Sequence, residues 1–358
     1  MTILWINLFI TFTLAYFARY FANVTNYSNS LVISRPRKLL IFGAVTCLIL
    51  VSGLRGASIG DTQAYMQSYI DNNFTWNYVI NQKDIGFGII QMILKKYTDD
   101  PQFLIFIAAL ITNLLIILVF YKYSRMIELS VFVYIASGFF ITSMNGLRQC
   151  LAASIVFAST KFLLEGSWKR YFIIILLAST IHESAFILIP IYFIVRRKAW
   201  TKATLLLIGF AVFIVIGFNQ FTEVLFSAIK DTQYSGYKDF TEGGANFLRV
   251  LVEGAPLLIA FLGREKLSKI MPYSDYFVNM GIISLLFMII STQNWIFARF
   301  SIYFSLYQFI LIAWIIKTFK EESQRFIYFS IIMCYLIYHY YDSVIAMNVI
   351  YKSNYIIF

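Results

Sequence analysis

Long apolar runs recur along the chain, separated by short polar stretches, and they predict a bundle of membrane-crossing helices. The runs occupy roughly 2–21, 38–54, 102–121, 129–145, 147–165, 170–181, 183–195, 202–218, 247–263, 274–293, 297–317 and 325–342. Most approach the ~20 residues an α-helix needs to cross a hydrocarbon core of about 30 Å. The expected fold is all-α, a polytopic membrane bundle of about 10–12 helices, read as one domain over residues 1–358.

The polar stretches alternate in character. Arg35, Arg37 and Lys38, then Lys122 and Arg125, Lys169 and Arg170, Arg196, Arg197, Lys198 and Lys202, Arg264, Lys266 and Lys269, and Lys317, Lys320 and Arg325 fall on one side. Cytoplasmic loops are enriched in Lys and Arg, so this side is read as cytoplasmic and both termini point outward. The other side carries the long loops 55–101 and 219–246 and short turns near 146, 182 and 295.

One run departs from this alternation. Tyr171–Val195 is flanked at both ends by basic clusters of the same side, yet two full crossings need about 40 residues at 1.5 Å rise each. A short helical hairpin, turning near Thr180–Ser184 at about half depth, satisfies both constraints. Broken backbone at that depth is tolerated where protein surrounds it or where it lines a watery cavity. His182 is therefore expected to look into a vestibule.

The outer loop 55–101 predicts structure of its own. Asp61-Thr62 is placed to N-cap a short helix through Tyr69, and Asp84–Lys96 is dense enough in apolar residues for a helix lying in the interface. In the second outer loop Tyr234, Tyr237, Phe240 and Phe247 suit either sugar stacking or an aromatic belt, with the belt preferred.

Composition supports the membrane reading and narrows the chemistry. The chain is 60% hydrophobic and 13% charged, with mean hydropathy +0.73. Its net charge of +11 suggests nucleic acid in a soluble protein, but here it sits in short loops and sets orientation. Cys47, Cys150 and Cys334 all fall in apolar runs and form neither a disulfide framework nor a metal site. There is no P-loop or dinucleotide fingerprint, and no cofactor or metal is expected.

Candidate chemistry gathers on the outer side. Arginine is costly near a bilayer and is kept there chiefly for an anionic partner. Arg148 opens a helix beside Asn145, Gly146 and Gln149, where a guanidinium and helix N-terminal amides meet. Snorkelling to lipid headgroups is the structural alternative. Arg55, in Gly53-Leu54-Arg55-Gly56, precedes Gly60-Asp61-Thr62 and Tyr65, and glycines there let backbone amides approach an oxyanion. The plain alternative is a helix C-cap followed by an Asp N-cap.

His182, with Glu183 and Ser184, is the strongest candidate for proton transfer, since its environment can tune an imidazole near neutral pH. It would otherwise simply cap the second half of the hairpin. Arg299 follows Gln293, Asn294 and Trp295, and Arg249 lies one turn before Glu253, a spacing that also suits an intrahelical ion pair. His339, among four tyrosines, is read as interfacial. These residues suggest a membrane enzyme acting on a lipid-linked, phosphate-bearing substrate.

Several of these motifs, in order, resemble the EpsG-like family of Wzy-type exopolysaccharide polymerases. The resemblance rests on Gly53-Leu54-Arg55-Gly56 with Ile59-Gly60-Asp61-Thr62 and Tyr65, on Asp84-Ile85-Gly86-Phe87, on Asn145-Gly146-Leu147-Arg148-Gln149, and on Ile181-His182-Glu183-Ser184-Ala185 leading into Ile189-Pro190-Ile191-Tyr192. It implies an enzyme that joins undecaprenyl-pyrophosphate-linked oligosaccharide repeats on the outer face of the cytoplasmic membrane. Its expected partners are that substrate, membrane lipids, and a chain-length regulator and flippase of the same pathway. Arg148 and Arg299, assisted by Arg55, are expected to hold the pyrophosphate, and His182 to orient or deprotonate the attacking hydroxyl, with Asp61 or Glu183 as the alternative base. Asn145, Gln149, Tyr65, Arg249 and Asn294 are expected to line the substrate. A lipid-linked oligosaccharide flippase, or a related glycan ligase or acyltransferase, is the alternative reading. A transporter should show paired repeats and charges at the midplane, and neither is evident.

Overall fold

A computed structural model describes residues 1–22, 35–218, 220, 222–223 and 243–356. It is helical, and every apolar run is helical where described. Two compact units emerge, Met1–Tyr192 with Ile312–Phe358, and Phe193–Leu311. By length and composition four described helices qualify as membrane crossings, or five if one bent pair counts as a span. Of the remaining apolar runs, most form helices of fewer than 18 residues or broken ones, whereas Glu321–Tyr340 is an unbroken 20-residue helix that is less apolar.

In the first unit α1 (Thr2–Tyr20) and α2 (Lys38–Gly53) run antiparallel, their junction closed by the Arg37 amide donating to the Ala18 carbonyl at 2.8 Å. Between α2 and the next long helix lie three short ones, α3 (Thr62–Asp71), α4 (Trp76–Ile80) and α5 (Ile85–Lys95). The long α6 (Pro101–Tyr123) starts with Pro at its first turn and with the Asp100 side chain accepting from the Gln102 amide, a start signal that stops the chain entering helix earlier. At one end Gln102 Nε2 donates to the Gly53 carbonyl, and at the other the Tyr121 hydroxyl donates to the Pro36 carbonyl. These contacts align α6 antiparallel to α2.

The core of this unit is α7 (Ile127–Ala136), all of whose residues are buried. It bends by 56° into α8 (Phe139–Asn145) at Gly138, whose φ of +84° only glycine adopts without strain. Then come α9 (Leu147–Ala158), α10 (Thr160–Glu165) and α11 (Trp168–Ile181). After His182 a 3-10 turn (Glu183–Ile187) leads into α12 (Leu188–Val195). The rings of Tyr171 and Tyr192 lie 5.5 Å apart and those of Phe172 and Tyr192 5.4 Å apart, so the chain doubles back at His182. Each leg runs only about 20 Å at 1.5 Å per residue, short of a 30 Å core: the hairpin predicted from residue arithmetic is there.

The second unit contains α13 (Lys202–Ile216), α14 (Phe247–Leu262), α15 (Arg264–Ile270) and α16 (Ser274–Ser291). A 3-10 turn (Trp295–Phe297) opens α17 (Ala298–Ile315), whose end passes into the first unit. Phe287 stacks on Phe304 at 5.8 Å and Phe277 packs on Tyr307 at 6.0 Å, so α16 and α17 touch through their aromatic side chains. Tyr234, Tyr237 and Phe240 lie outside the described residues.

The last helix, α18 (Glu321–Tyr340), returns through the first unit and ends in a π-helical turn, Tyr341–Ala346. His339 is 1% exposed, edge-on to Trp5 at 4.9 Å. It is buried in the protein between α1 and α18 and does not face a lipid surface; Tyr335 and Tyr338 are buried with it, while Tyr340 is exposed.

Candidate functional site

The arginine and histidine motifs of the first unit converge at one end of it, the end away from Arg19, Arg37 and Lys317. Arg55 is the framework of this end. Its side chain is 1% exposed, with Nε donating to Thr62 Oγ1 at 3.0 Å, Nη1 to the Ser52 carbonyl and Nη2 to the Met144 carbonyl at 2.7 Å. Burial pushes its guanidinium down to about 9, so it stays protonated at neutral pH. A buried charge survives when it is fully hydrogen-bonded, and here Arg55 ties the end of α2 to α3 and to the end of α8. The C-terminal tail closes over the knot: Tyr351 hydroxyl donates to Val51, and the Gly56 amide to Lys352, at 2.8 and 2.7 Å. Arg55 thus shapes the loop from within.

Beside it, the Asp61 amide donates to Asn145 Oδ1 at 2.9 Å. Gly60, with φ +47°, permits this approach, since a Cβ there would stand 2.0 Å from the same oxygen. Asp61 precedes α3 as foreseen, but its side chain makes no capping bond to that helix. The carboxylate is exposed and acts on the charge of Arg148.

Arg148 stands in the first turn of α9, which has no side-chain cap. Its Nη1 donates to Asp84 Oδ2 at 2.6 Å and its Nε to the Tyr65 hydroxyl at 3.4 Å. The guanidinium also lies over the rings of Tyr65 and Phe87, at 5.7 and 5.9 Å. Its side chain is 36% exposed, against 4% for Asp84. Tyr65 and Asp84 thus anchor Nε and Nη1, while the side chain as a whole stays partly exposed.

Asp84 is the residue that sequence reasoning missed. It precedes α5, and while Oδ2 takes Arg148, Oδ1 accepts from the Glu183 amide at 3.3 Å. Burial pushes its carboxyl above the ordinary range, and Arg148 pulls it partly back. The helix α5 is not simply an interfacial one. Phe87, Gly88 and Gln91 are buried, and Gly86 meets α11 so closely that a Cβ would sit 2.1 Å from Thr180 Oγ1. The available signal was Asp84-Ile85-Gly86-Phe87: an acid and a glycine at the head of an otherwise apolar segment.

His182 caps the turn that follows it. Nδ1 accepts from the Ser184 amide at 3.3 Å and lies 2.8 Å from Ser184 Oγ, while Gln149 Nε2 donates to that Oγ at 3.4 Å. A backbone N–H can only donate, so Nδ1 is the acceptor and the neutral ring carries its proton on Nε2. Gln149 and His182 are thus joined through Ser184, and Arg148 and Glu183 through Asp84.

The second unit holds the other candidates. The Arg299 guanidinium lies 5.0 Å over the Trp295 ring. Asn294 caps the turn before α17, its Oδ1 accepting from the Ile296 amide at 3.0 Å. Glu253 accepts from Ser284 Oγ at 3.0 Å, with Arg249 near enough to act on its charge.

A family model, that of the EpsG family, matches residues 38–356. The chain belongs to the EpsG family. That family is one of Wzy-type polymerases, so this member is of the exopolysaccharide-polymerase type, with lipid-linked oligosaccharide as its class of substrate. No curated protein and no solved structure matches the chain. This EpsG-family protein is a multi-pass membrane protein, and its matched segment takes in every motif gathered at the Arg148 end.

Proposed function

We propose that this EpsG-family protein joins undecaprenyl-pyrophosphate-linked oligosaccharide repeats on the outer face of the cytoplasmic membrane, and that the Arg148 end of the first unit is its active site. The observation carrying this reading is the half-anchored guanidinium of Arg148, at an uncapped helix start and bridged by Asp84 to the hairpin tip at His182. Helix amides and a guanidinium together favour a phosphate.

In the proposed reaction a sugar hydroxyl of one lipid-linked repeat attacks C1 of the growing glycan on another. The C1–O bond breaks, undecaprenyl pyrophosphate leaves with the electron pair, and the glycan passes to the acceptor. Arg148 stabilises the charge growing on the leaving pyrophosphate. His182, with Nδ1 engaged by Ser184, presents Nε2–H and orients an oxygen as a donor. The hydroxyl proton passes to a carboxylate, Asp61 in the first instance and Glu183 otherwise. Arg55 positions the loop that carries Asp61. Arg299 is proposed as a further phosphate-binding group, with its own substitution as the test. Direct displacement inverts the anomeric centre.

The test is purified protein in lipid with undecaprenyl-pyrophosphate oligosaccharide as the only added substrate. A ladder of longer glycans with released undecaprenyl pyrophosphate is expected. Movement of intact substrate across the bilayer without longer products would overturn the assignment.

A further inference from the structure

At the opposite end of the first unit lies a cleft of about 790 Å³ that the polymerase reading does not use. Its lining carries cations, Arg19 at the end of α1, Lys317 in the turn after α17, and Arg325 in the first turns of α18. Apolar side chains, Phe12, Phe329 and Ile332, line it beside them. Arg19 is held in place by its Nε donating to Glu128 Oε1 at 2.7 Å, and Glu128 is fully buried. Lys317 is steadied by Gln324 at 2.7 Å. Arg125 adds its charge near Arg19 and lies over the Trp314 ring at 5.6 Å. Glu321 lines the cleft and, with Glu128 on Arg19, offsets part of this charge.

A stripe of large exposed apolar side chains runs from the cleft along α18. Phe326, Phe329, Met333 and Ile337 are 72%, 61%, 56% and 65% exposed, and their spacing of three to four residues puts them on one helix face. Phe329 belongs to both stripe and cleft. A basic headgroup pocket continuous with an apolar rail matches one kind of molecule, an amphiphile with an anionic head. A soluble anion would leave the rail without a role, and a zwitterionic lipid would leave the cations unmatched.

We infer that this cleft is a binding site for an acidic membrane phospholipid, its phosphate held between Arg19, Lys317 and Arg325 and its chains laid along α18. Such a lipid clasps α1, α7 and α18 at the end of the unit remote from Arg148. Basic pockets between membrane helices take anionic headgroups by this chemistry.

The experiment uses the whole protein in neutral detergent, titrated with phosphatidylglycerol, with phosphatidylcholine, or with inorganic phosphate, reading thermal unfolding and lipid adducts by native mass spectrometry. Phosphatidylglycerol alone is expected to raise Tm and to give retained adducts. Arg325→Gln should weaken its apparent affinity roughly fivefold, and Lys317→Gln added to it by a similar factor. Arg264→Gln, an exposed cation on α15, serves as the charge control and should leave the response intact. Each comparison is made as phosphatidylglycerol against phosphatidylcholine within one variant, so a change in intrinsic stability cancels. Equal responses to the two lipids, a full response in the double variant, or an equal loss in Arg264→Gln would overturn the site. A Tm shift from phosphate alone would overturn the lipid as its occupant.

Discussion

Replacing Arg148 by lysine separates its charge from its shape. In the structure Nη1 is 2.6 Å from Asp84 Oδ2 and Nε 3.4 Å from the Tyr65 hydroxyl, and the partly exposed side chain keeps further N–H donors for an anion. A lysine brings one ammonium, and the Asp84 carboxylate, 4% exposed, will claim it. The fold keeps its ion pair while the phosphate loses its donor. Removing one donor aimed at developing negative charge costs roughly 10²–10³ in rate, so Arg148→Lys should lose polymer formation by about that factor with Tm nearly unchanged. Arg148→Ala goes further, leaving Asp84 without its cation. Breaking a fully buried pair costs about 3–5 kcal/mol. Since the arginine is a third exposed, solvent screening brings this down to about 1–2 kcal/mol. The assay is initial rate of ladder formation from undecaprenyl-pyrophosphate oligosaccharide in lipid, with thermal unfolding measured in the same lipid. Full polymer output from Arg148→Lys would refute the forked role of the guanidinium.

Other expectations follow from neighbouring contacts. His182→Asn should retain the cap on the 183–187 turn, because asparagine is a strong N-cap, while His182→Ala loses about 1 kcal/mol; if the Asn variant polymerises normally, His182 is only a cap. Gly86→Ala should push α5 off Thr180 and destabilise the protein by about 1–3 kcal/mol, with partial recovery on adding Thr180→Ala; a wild-type Tm for the single variant would contradict the close contact. Burial raises the Asp84 carboxyl in the folded state, with Arg148 opposing, so its contribution to stability is complete below the ordinary carboxylate pKa and is lost as pH rises through the raised value. The unfolding stability of wild type minus that of Asp84→Asn should accordingly fall as pH is raised from about 4, and a flat or rising difference would count against this. These tests read different links, from backbone approach to proton binding, and fail independently.

Much of the architecture was legible along the chain because burial in a membrane is a matter of composition. Each apolar run became helix, and Tyr171–Val195 had to be a hairpin since 25 residues cannot make two crossings. Where runs broke, local signals explained it: Gly138 at the bend, Pro101 and Asp100 at the start of α6, His182 and Asn294 at their turns. The count of uninterrupted crossings was less legible, since such breaks convert spans into pairs of short helices.

Composition along the chain carried the class of the protein and its helical segments. Which of the charged residues are sealed and which stay accessible depends on contacts between distant segments. Arg55 and Arg148 look alike on paper, yet one is sealed among carbonyls and the other stays partly exposed, because the C-terminal tail and α3 close over the first. Asp84 meets Arg148 across 64 positions, and nothing local to either announces the other. Hydropathy is a property each residue carries into any environment, whereas a hydrogen-bond partner exists only once distant segments share a place. That is why the helices were readable in one dimension and the site was not.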